Sequence, residues 1–138
     1  MQLSSNVTFN GQCEAAFKFY EQCLGGKIQV MMKWGDSPMA DQVPSEWRDR
    51  IMHTSLIVGE SSLLGGDAPP DRYEAPKGFA VTIAINDPAE AERLFNALAE
   101  NGTVQMPLEE TFWAARFGML VDRFGTPWMV NCAKPANA

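Results

Sequence analysis

The sequence predicts an α+β protein of two β-α-β-β-β modules, which form an open, incomplete barrel with a concave cavity. Two observations carry this prediction. The chain repeats itself at an offset that places Asn10 on Asn86, and each copy combines one helical pattern with four extended patterns. With 138 residues the chain is long enough to bury a core as one domain, with modules over about 2–66 and 78–133.

The internal repeat aligns residues 10–30 with residues 86–106. Identical residues occupy these positions: Asn10/Asn86, Glu14/Glu90, Ala15/Ala91, Phe19/Phe95, Gly26/Gly102 and Gln29/Gln105. Because similarity at a fixed offset indicates a repeated supersecondary unit, the chain is expected to contain two copies of one module.

Each copy contains the pattern of an amphipathic helix. In the second copy Asp87 is the predicted N-cap, Pro88 occupies the first helical position, and Glu90 stands where a capping box has a carboxylate. Each helical pattern stops at glycine, at Gly25-Gly26 in the first copy and at Asn101-Gly102 in the second. Apolar residues recur at helical spacing: Cys13, Phe17, Tyr20 and Leu24 in the first copy, and Ala91, Leu94, Phe95 and Leu98 in the second.

Extended patterns surround each helix. They cover 3–9, 27–34, 50–58 and 61–65 in the first half, and 79–85, 103–108, 114–121 and 126–132 in the second. Two segments rich in proline interrupt them. Residues 35–49 are interpreted as a mobile flap, and residues 66–77 as the linker between the modules.

Composition excludes several classes of protein. A net charge of −6 without a Lys/Arg cluster disfavours nucleic acid, since cations provide most affinity for phosphates. No apolar run reaches the roughly 20 residues of a membrane span. The cysteines Cys13, Cys23 and Cys132 show no metal or redox spacing, so free thiols in a cytoplasmic protein are expected. Without Walker or G-x-G-x-x-G sequences, no cofactor is predicted.

Three stretches resemble a known family. NGQCEAAFKFYEQCLGG at 10–26, IMHTSLIVGESSLL at 51–64 and MPLEETFWAARFGMLVDRFGTPWMVNC at 106–132 are similar to the vicinal oxygen chelate superfamily, which includes glyoxalase I, extradiol dioxygenases and bleomycin-binding proteins. Within it the chain resembles the PhnB-like branch. Relatives are sometimes labelled demethylubiquinone methyltransferases, but the predicted module order lacks the alternating βα units of a doubly wound methyltransferase.

The resemblance also implies where a metal would be held. Metal-dependent members of the superfamily use His or Glu on the first and last strand of each module, and the matching positions here are Ser5, Leu64, Val81 and Met129. A shift of one residue brings in Ser4 or Asn6, Leu63 or Gly65, Ala80 or Thr82, and Trp128 or Val130. Because none of these is an imidazole or a carboxylate, no metal is predicted.

The proposed ligand site is apolar with one histidine. Alternation along 111–121 places Trp113, Phe117 and Met119 on one face, and Met129 and Trp34 are expected on comparable strands, with Met32 and Met106. His53 is interpreted as a polar contact, with a core role as the alternative. Glu109 and Glu110 are adjacent, so they point to opposite faces of a strand and cannot form a catalytic carboxylate pair. The site is expected at the junction of the modules, beneath the flap.

Three functions remain open. The first is a metal-independent homodimer that binds a small apolar or aromatic molecule, as bleomycin-resistance proteins do. The second is a glyoxalase-related lyase or isomerase, with a recruited divalent metal or with His53 as acid and base. The third is a scaffold that serves only protein partners. No residue pattern identifies the ligand.

Overall fold

The computed structural model describes residues 1–135 and divides between Ala75 and Pro76 into two compact units. In each unit one four-stranded sheet packs against one α-helix. The predicted α+β class and the two β-α-β-β-β modules are confirmed. Within residues 1–135, neither helix combines the length and the apolar character that crossing a membrane requires.

The element bounds follow the predicted order. The first unit contains β1 (Ser5–Phe9), α1 (Cys13–Leu24), β2 (Lys27–Lys33), β3 (Ile51–Val58) and β4 (Ser61–Asp67). The second contains β5 (Val81–Ile85), α2 (Pro88–Ala99), β6 (Thr103–Glu109), β7 (Ala114–Val121) and β8 (Pro127–Ala133). The sheet orders are β1-β4-β3-β2 and β5-β8-β7-β6, and in each sheet the first two strands of that order are parallel. Each sheet is therefore open, with two edge strands.

The helix ends agree with the predicted caps, with one change. The Asp87 carboxylate accepts a hydrogen bond from Ala89 N at 3.1 Å, and Pro88 is the first helical residue. At the end of α1, Gly25 adopts the left-handed conformation with a φ of 71°. After α2 the left-handed residue is Asn101 (φ 61°), not Gly102. Asparagine tolerates this conformation better than other residues with a side chain, so it replaces glycine here.

Two glycines set the distance between helix and sheet. A Cβ atom on Gly65 of β4 would lie 2.4 Å from Cε1 of Phe17, and one on Gly118 of β7 would lie 2.7 Å from Cε2 of Phe95. A phenyl ring of each helix thus rests directly on strand backbone. Because side chains alternate along a strand, these contacts also identify which face of each sheet the helix covers.

The face turned away from its own helix is called here the open face of each sheet. In the first unit it carries Asn6 of β1, which is paired with Leu64 of β4. In the second it carries Thr82 of β5, Met129 of β8 and Met119 of β7, paired in that order. The next residues along the same strands, such as Val7, Leu120 and Val130, lie on the helix side and are fully buried.

The segment after β2 differs from the prediction. The strand ends at Lys33, and Trp34 begins the first of three 3₁₀ turns (Trp34–Asp36, Ala40–Gln42 and Ser45–Trp47). Trp34, Val43 and Trp47 form an apolar cluster against which Met52 packs. The prediction that Trp34 lies on a strand was wrong, because burial of its indole in this cluster turns the chain away from the sheet.

The segment predicted as a linker begins as sheet. Gly66 and Asp67 belong to β4, where they pair with Thr8 and Phe9 of β1. Asp67 is buried, and its carboxylate accepts hydrogen bonds from the backbone N–H groups of Gly11 (2.9 Å), Cys13 (3.0 Å) and Ile51 (2.9 Å). One carboxylate therefore ties β4 to the start of α1 and to β3.

The cysteines agree with the prediction of free thiols. Cys13, Cys23 and Cys132 are all buried, and none is in a disulfide. Burial, with a smaller contribution from the nearby Asp67 carboxylate, raises the pKa of the Cys13 thiol far above its ordinary value. Cys13 is therefore a protonated core residue.

Candidate functional site

Three methionines form a row across the open face of the second sheet. Met106 of β6 pairs with Met119 of β7, and Met119 pairs with Met129 of β8. Side chains directly opposite each other on neighbouring strands lie about 5 Å apart at their Cβ atoms. The three thioethers therefore form one continuous apolar strip, which Thr82 of β5 extends at its far end.

Aromatic rings border this row. The ring of Trp113, just before β7, meets that of Phe117 edge to face, with centroids 5.3 Å apart. Trp113 also contacts Phe112, with centroids 4.8 Å apart. Trp113 is 49% exposed and Phe112 88%. Trp113, Phe117, Met106, Met119 and Met129 are called the aromatic–methionine patch below.

Local backbone structure fixes Trp113 at the entry of β7. The side-chain oxygen of Thr111 accepts a hydrogen bond from Ala114 N, and Thr111 N donates to Ala114 O, both at 3.0 Å. Trp113 is one of the two residues within this tight turn. Within β7, Ala114, Gly118 and Leu120 are buried while Phe117 and Met119 are half-buried, as the alternation predicts.

Polar groups flank the patch. Phe117 pairs with Glu109 of β6 on one side and with Asn131 of β8 on the other. Among residues 1–135, the side chains of Asn131 and Thr82 take part in no hydrogen bond, so their donors and acceptors are available. The open face thus combines an apolar centre with a few polar groups, as small-molecule sites do.

His53 lies in the first unit, on β3. It pairs with Met32 of β2. By alternation it lies on the opposite face of the sheet from its neighbour Thr54, which is buried on the helix side. His53 is therefore on the open face and is half-buried. Over the described residues its imidazole makes no hydrogen bond or ion pair.

Trp34 borders a cavity of the first unit. Its indole N–H donates to the backbone oxygen of Asp67 at 3.0 Å, and 9% of the residue is exposed. The cavity measures about 240 Å³. Its walls are Asn6, Thr8, Trp34, Met52, Gly65, Gly66, Asp67, Ala68, Pro69 and Arg72.

The structure thus brings four of the six predicted site residues together. Trp113, Phe117, Met119 and Met129 share the aromatic–methionine patch, whereas His53 and Trp34 belong to the first unit. The cavity residues Asn6, Thr8 and Arg72 were not predicted. Alternation of Asn6 and Thr8 with buried Val7 and Phe9 was a usable signal for the first two, but no sequence pattern marks Arg72.

The positions expected to hold a metal need one correction. Ser5 and Val81 share a face with Val7 and Ile83, so they lie on the helix side; the alternatives one residue away, Asn6 and Thr82, occupy the open face. Paired with them are Leu64 and Met129.

These four open-face side chains do not fit a divalent cation that prefers imidazole or carboxylate ligands. A carboxamide, an alkyl group, a hydroxyl and a thioether supply no imidazole and no carboxylate. Within residues 1–135, no group of three or more His, Cys, Asp or Glu side chains is arranged to hold a metal ion.

A match to a family model identifies the family of the chain. The model of the Glyoxalase/Bleomycin resistance protein/Dioxygenase superfamily matches residues 4–130. The chain belongs to this superfamily. Protein YjdN of Escherichia coli (strain K12) is 32% identical over 142 residues, which cover 97% of each chain.

Two solved structures of this superfamily's fold are similar over nearly their whole length. Protein PA1353 from Pseudomonas aeruginosa is 50% identical with a TM-score of 0.89, covering 98% of this chain and 99% of that one. A putative 3-demethylubiquinone-9 3-methyltransferase, PhnB protein, from Bacillus cereus has a TM-score of 0.80 and covers 96% and 100%. At 18% identity, the second likeness shows the fold alone.

Proposed function

We propose that this chain binds a small, partly apolar or aromatic molecule on the aromatic–methionine patch and needs no metal to do so. The observation that carries the proposal is the half-exposed ring of Trp113, held edge to face against Phe117 beside the methionine row. Its assignment to the PhnB-like branch, with a role like that of bleomycin-resistance proteins, is part of this proposal.

The chemistry of the patch favours such a ligand. An aromatic ring contributes a large contact area at little entropic cost, and a thioether adapts its shape and contacts ring edges favourably. A flat ligand ring placed on the methionine row would meet Trp113, Phe117 and the adjacent Asn131 along one side, and Thr82 at the far end of the row. Apolar contacts provide affinity there, and the polar groups orient the ligand.

The absence of suitable donors supports a function without a metal. Asn6, Leu64, Thr82 and Met129 are the paired open-face residues closest to the positions that the family resemblance implies for metal ligands. A lyase or isomerase that uses His53 as acid and base is the alternative, but within the described chain no carboxylate contacts His53 to orient it.

We further propose a homodimer. The edge strands β2 and β6 expose apolar side chains, with Val30 and Met32 about 40% exposed in one and Val104 and Met106 at 46% and 43% in the other. Proteins cover or pair such edges, and a two-fold dimer is the commonest way to do so. The buried free thiols are also consistent with a cytoplasmic location.

Binding of 2-naphthol, a neutral aromatic probe, tests the proposed function. Isothermal titration should show saturable binding by the wild type and weaker binding by Trp113→Ala. Phe79→Ala is the matched control, because Phe79 is similarly exposed at 42% but precedes β5 and is outside the patch. Equal affinities of the wild type and Trp113→Ala, or a larger loss in Phe79→Ala, would refute the proposal.

A further inference from the structure

The cavity of the first unit has a polar wall on one side. Asn6 and Thr8 lie on the open face of β1, opposite Leu64 and Gly66 of β4. Over residues 1–135 the carboxamide of Asn6 and the hydroxyl of Thr8 make no hydrogen bond. Both therefore have hydrogen-bonding groups that a bound molecule can use.

Arg72 brings a positive charge to the same cavity. Ala68 N extends the parallel pairing of β1 and β4 by donating to Phe9 O at 2.9 Å, and buried Pro69 follows. Arg72 N then donates to Pro69 O at 2.8 Å, which closes a tight turn and holds Arg72 against the cavity. In the described part of the chain, the guanidinium of Arg72 forms no ion pair.

The one carboxylate in the cavity wall, that of Asp67, forms no ion pair with Arg72. Both oxygens of the Asp67 side chain already accept backbone hydrogen bonds, from Gly11 and Cys13 to one oxygen and from Ile51 to the other. The cavity wall therefore holds one carboxylate and one guanidinium, and the N–H donors of Arg72 stay available to a ligand because no ion pair in the described chain occupies them.

The remaining walls are flat or apolar. Trp34, Met52 and Pro69 line the cavity. Gly66 must lack a side chain, since a Cβ atom there would lie 2.5 Å from the backbone oxygen of Met52. An aromatic wall beside a guanidinium suits a ligand with one flat part and one anionic group.

We infer that this cavity is a second binding site, which takes a small organic anion such as an aromatic carboxylate or phosphate. Arg72 binds the anionic group, Thr8 and Asn6 donate hydrogen bonds to it, and Trp34 contacts the flat part. A guanidinium matches the geometry of both carboxylate and phosphate, so both ligand types share this recognition. The volume of about 240 Å³ limits the ligand to a small molecule. The site uses no residue of the aromatic–methionine patch.

Titration of ¹⁵N-labelled protein with sodium benzoate tests this inference, with the indole N–H resonance of Trp34 as the readout. The wild type should show a saturable shift, and benzamide, which has the same ring without the charge, should not. Phenyl phosphate in place of benzoate then distinguishes a phosphate ligand from a carboxylate ligand. Loss of a charge-assisted hydrogen bond in Arg72→Gln should raise the Kd for the anion that binds by about tenfold or more.

Two further variants complete the test. Thr8→Val should also weaken binding, whereas Arg48→Gln should leave it unchanged, because Arg48 is exposed, pairs with Asp41 and is outside the cavity. Trp113→Ala should bind benzoate as the wild type does, which separates this site from the proposed function. Equal shifts with benzoate and benzamide, an unchanged Kd in Arg72→Gln, or no saturable shift with either anion would each overturn the inference.

Discussion

The indole ring of Trp113 contacts the phenyl ring of Phe117 edge to face, with their planes at 63°. Trp113 is nonetheless 49% exposed, so about half of the residue remains in contact with solvent. A side chain in this position contributes to the surface of a site more than to the core, and this difference can be measured.

Trp113→Ala should lower the free energy of unfolding by only about 2 kcal/mol, less than the roughly 3 to 5 kcal/mol expected when a fully buried aromatic residue is truncated. The reason is that about half of the indole is already in water. Urea denaturation of both proteins measures the difference.

Trp128→Ala is the matched control for that measurement. Trp128 is 1% exposed, and its indole N–H donates to the buried Asp122 carboxylate at 2.8 Å. Trp128→Ala should therefore lower the free energy of unfolding by the full value of roughly 3 to 5 kcal/mol, or prevent folding. Equal losses for the two tryptophans would identify Trp113 as a core residue and place the ligand site elsewhere.

The purified protein should contain far less than one equivalent of zinc, nickel, manganese or iron after dialysis. The reason is the donor chemistry of Asn6, Leu64, Thr82 and Met129, none of which is an imidazole or a carboxylate. Elemental analysis measures the metal content of the dialysed protein. One equivalent that survives dialysis and is lost in His53→Gln would contradict the expectation.

Sedimentation at micromolar concentration should give a species near twice the chain mass of 15.2 kDa. The exposed apolar edges of β2 and β6 provide the reason. Replacing Val104, which is 46% exposed on β6, with Lys would shift the distribution toward the monomer if that edge is paired. A wild type that sediments as a monomer throughout would rule out the proposed dimer.

His53→Gln should keep the fold and leave the binding of 2-naphthol unchanged, because His53 lies in the first unit and outside the aromatic–methionine patch. Glutamine retains hydrogen-bonding groups in place of the imidazole. Circular dichroism checks the fold, and isothermal titration checks the affinity. Weaker binding by this variant would show that the ligand site extends beyond the patch.

Cys13→Ala should flatten the alkaline part of the stability profile. Because the folded protein holds the pKa of Cys13 above its ordinary value of 9.0, the unfolded chain loses this proton first as the pH rises. The stabilising contribution is therefore complete below pH 9.0 and declines above it, by at most about 1.4 kcal/mol for each pH unit. Urea denaturation across this range should show a steeper decline in the wild type than in the variant. Parallel profiles would mean that the buried thiol does not contribute.

Local patterns in the sequence predicted most of the fold. The bounds of β7, the Asp87 cap and the burial of alternate residues along β7 all depend on near neighbours in the chain, so they can be predicted without the structure. The four clustered site residues were found for the same reason. Once β7 is recognised, alternation places Phe117 and Met119 on one face.

The predictions failed where the structure depends on contacts between residues distant in the chain, or where polar and apolar residues do not alternate clearly. Ser4, Ser5 and Asn6 are all small and polar, so the sequence does not reveal which of them faces the helix. Trp34 leaves the strand because of burial in a cluster with Val43 and Trp47. Arg72 reaches the cavity through a turn after β4, a placement that no periodic pattern encodes.

Gly65 and Gly118, which lie beneath the phenyl rings of Phe17 and Phe95, prevent the helices of the two modules from being exchanged in protein engineering. In the first unit the glycine is Gly65 on the fourth strand, beside Thr54; in the second it is Gly118 on the third strand, beside Val130. A chimera that carried α1 over the second sheet would press the ring of Phe17 onto Val130. During divergence of the repeats, each helix has therefore become specific to its own sheet, and only a helix transferred together with its glycine should fold.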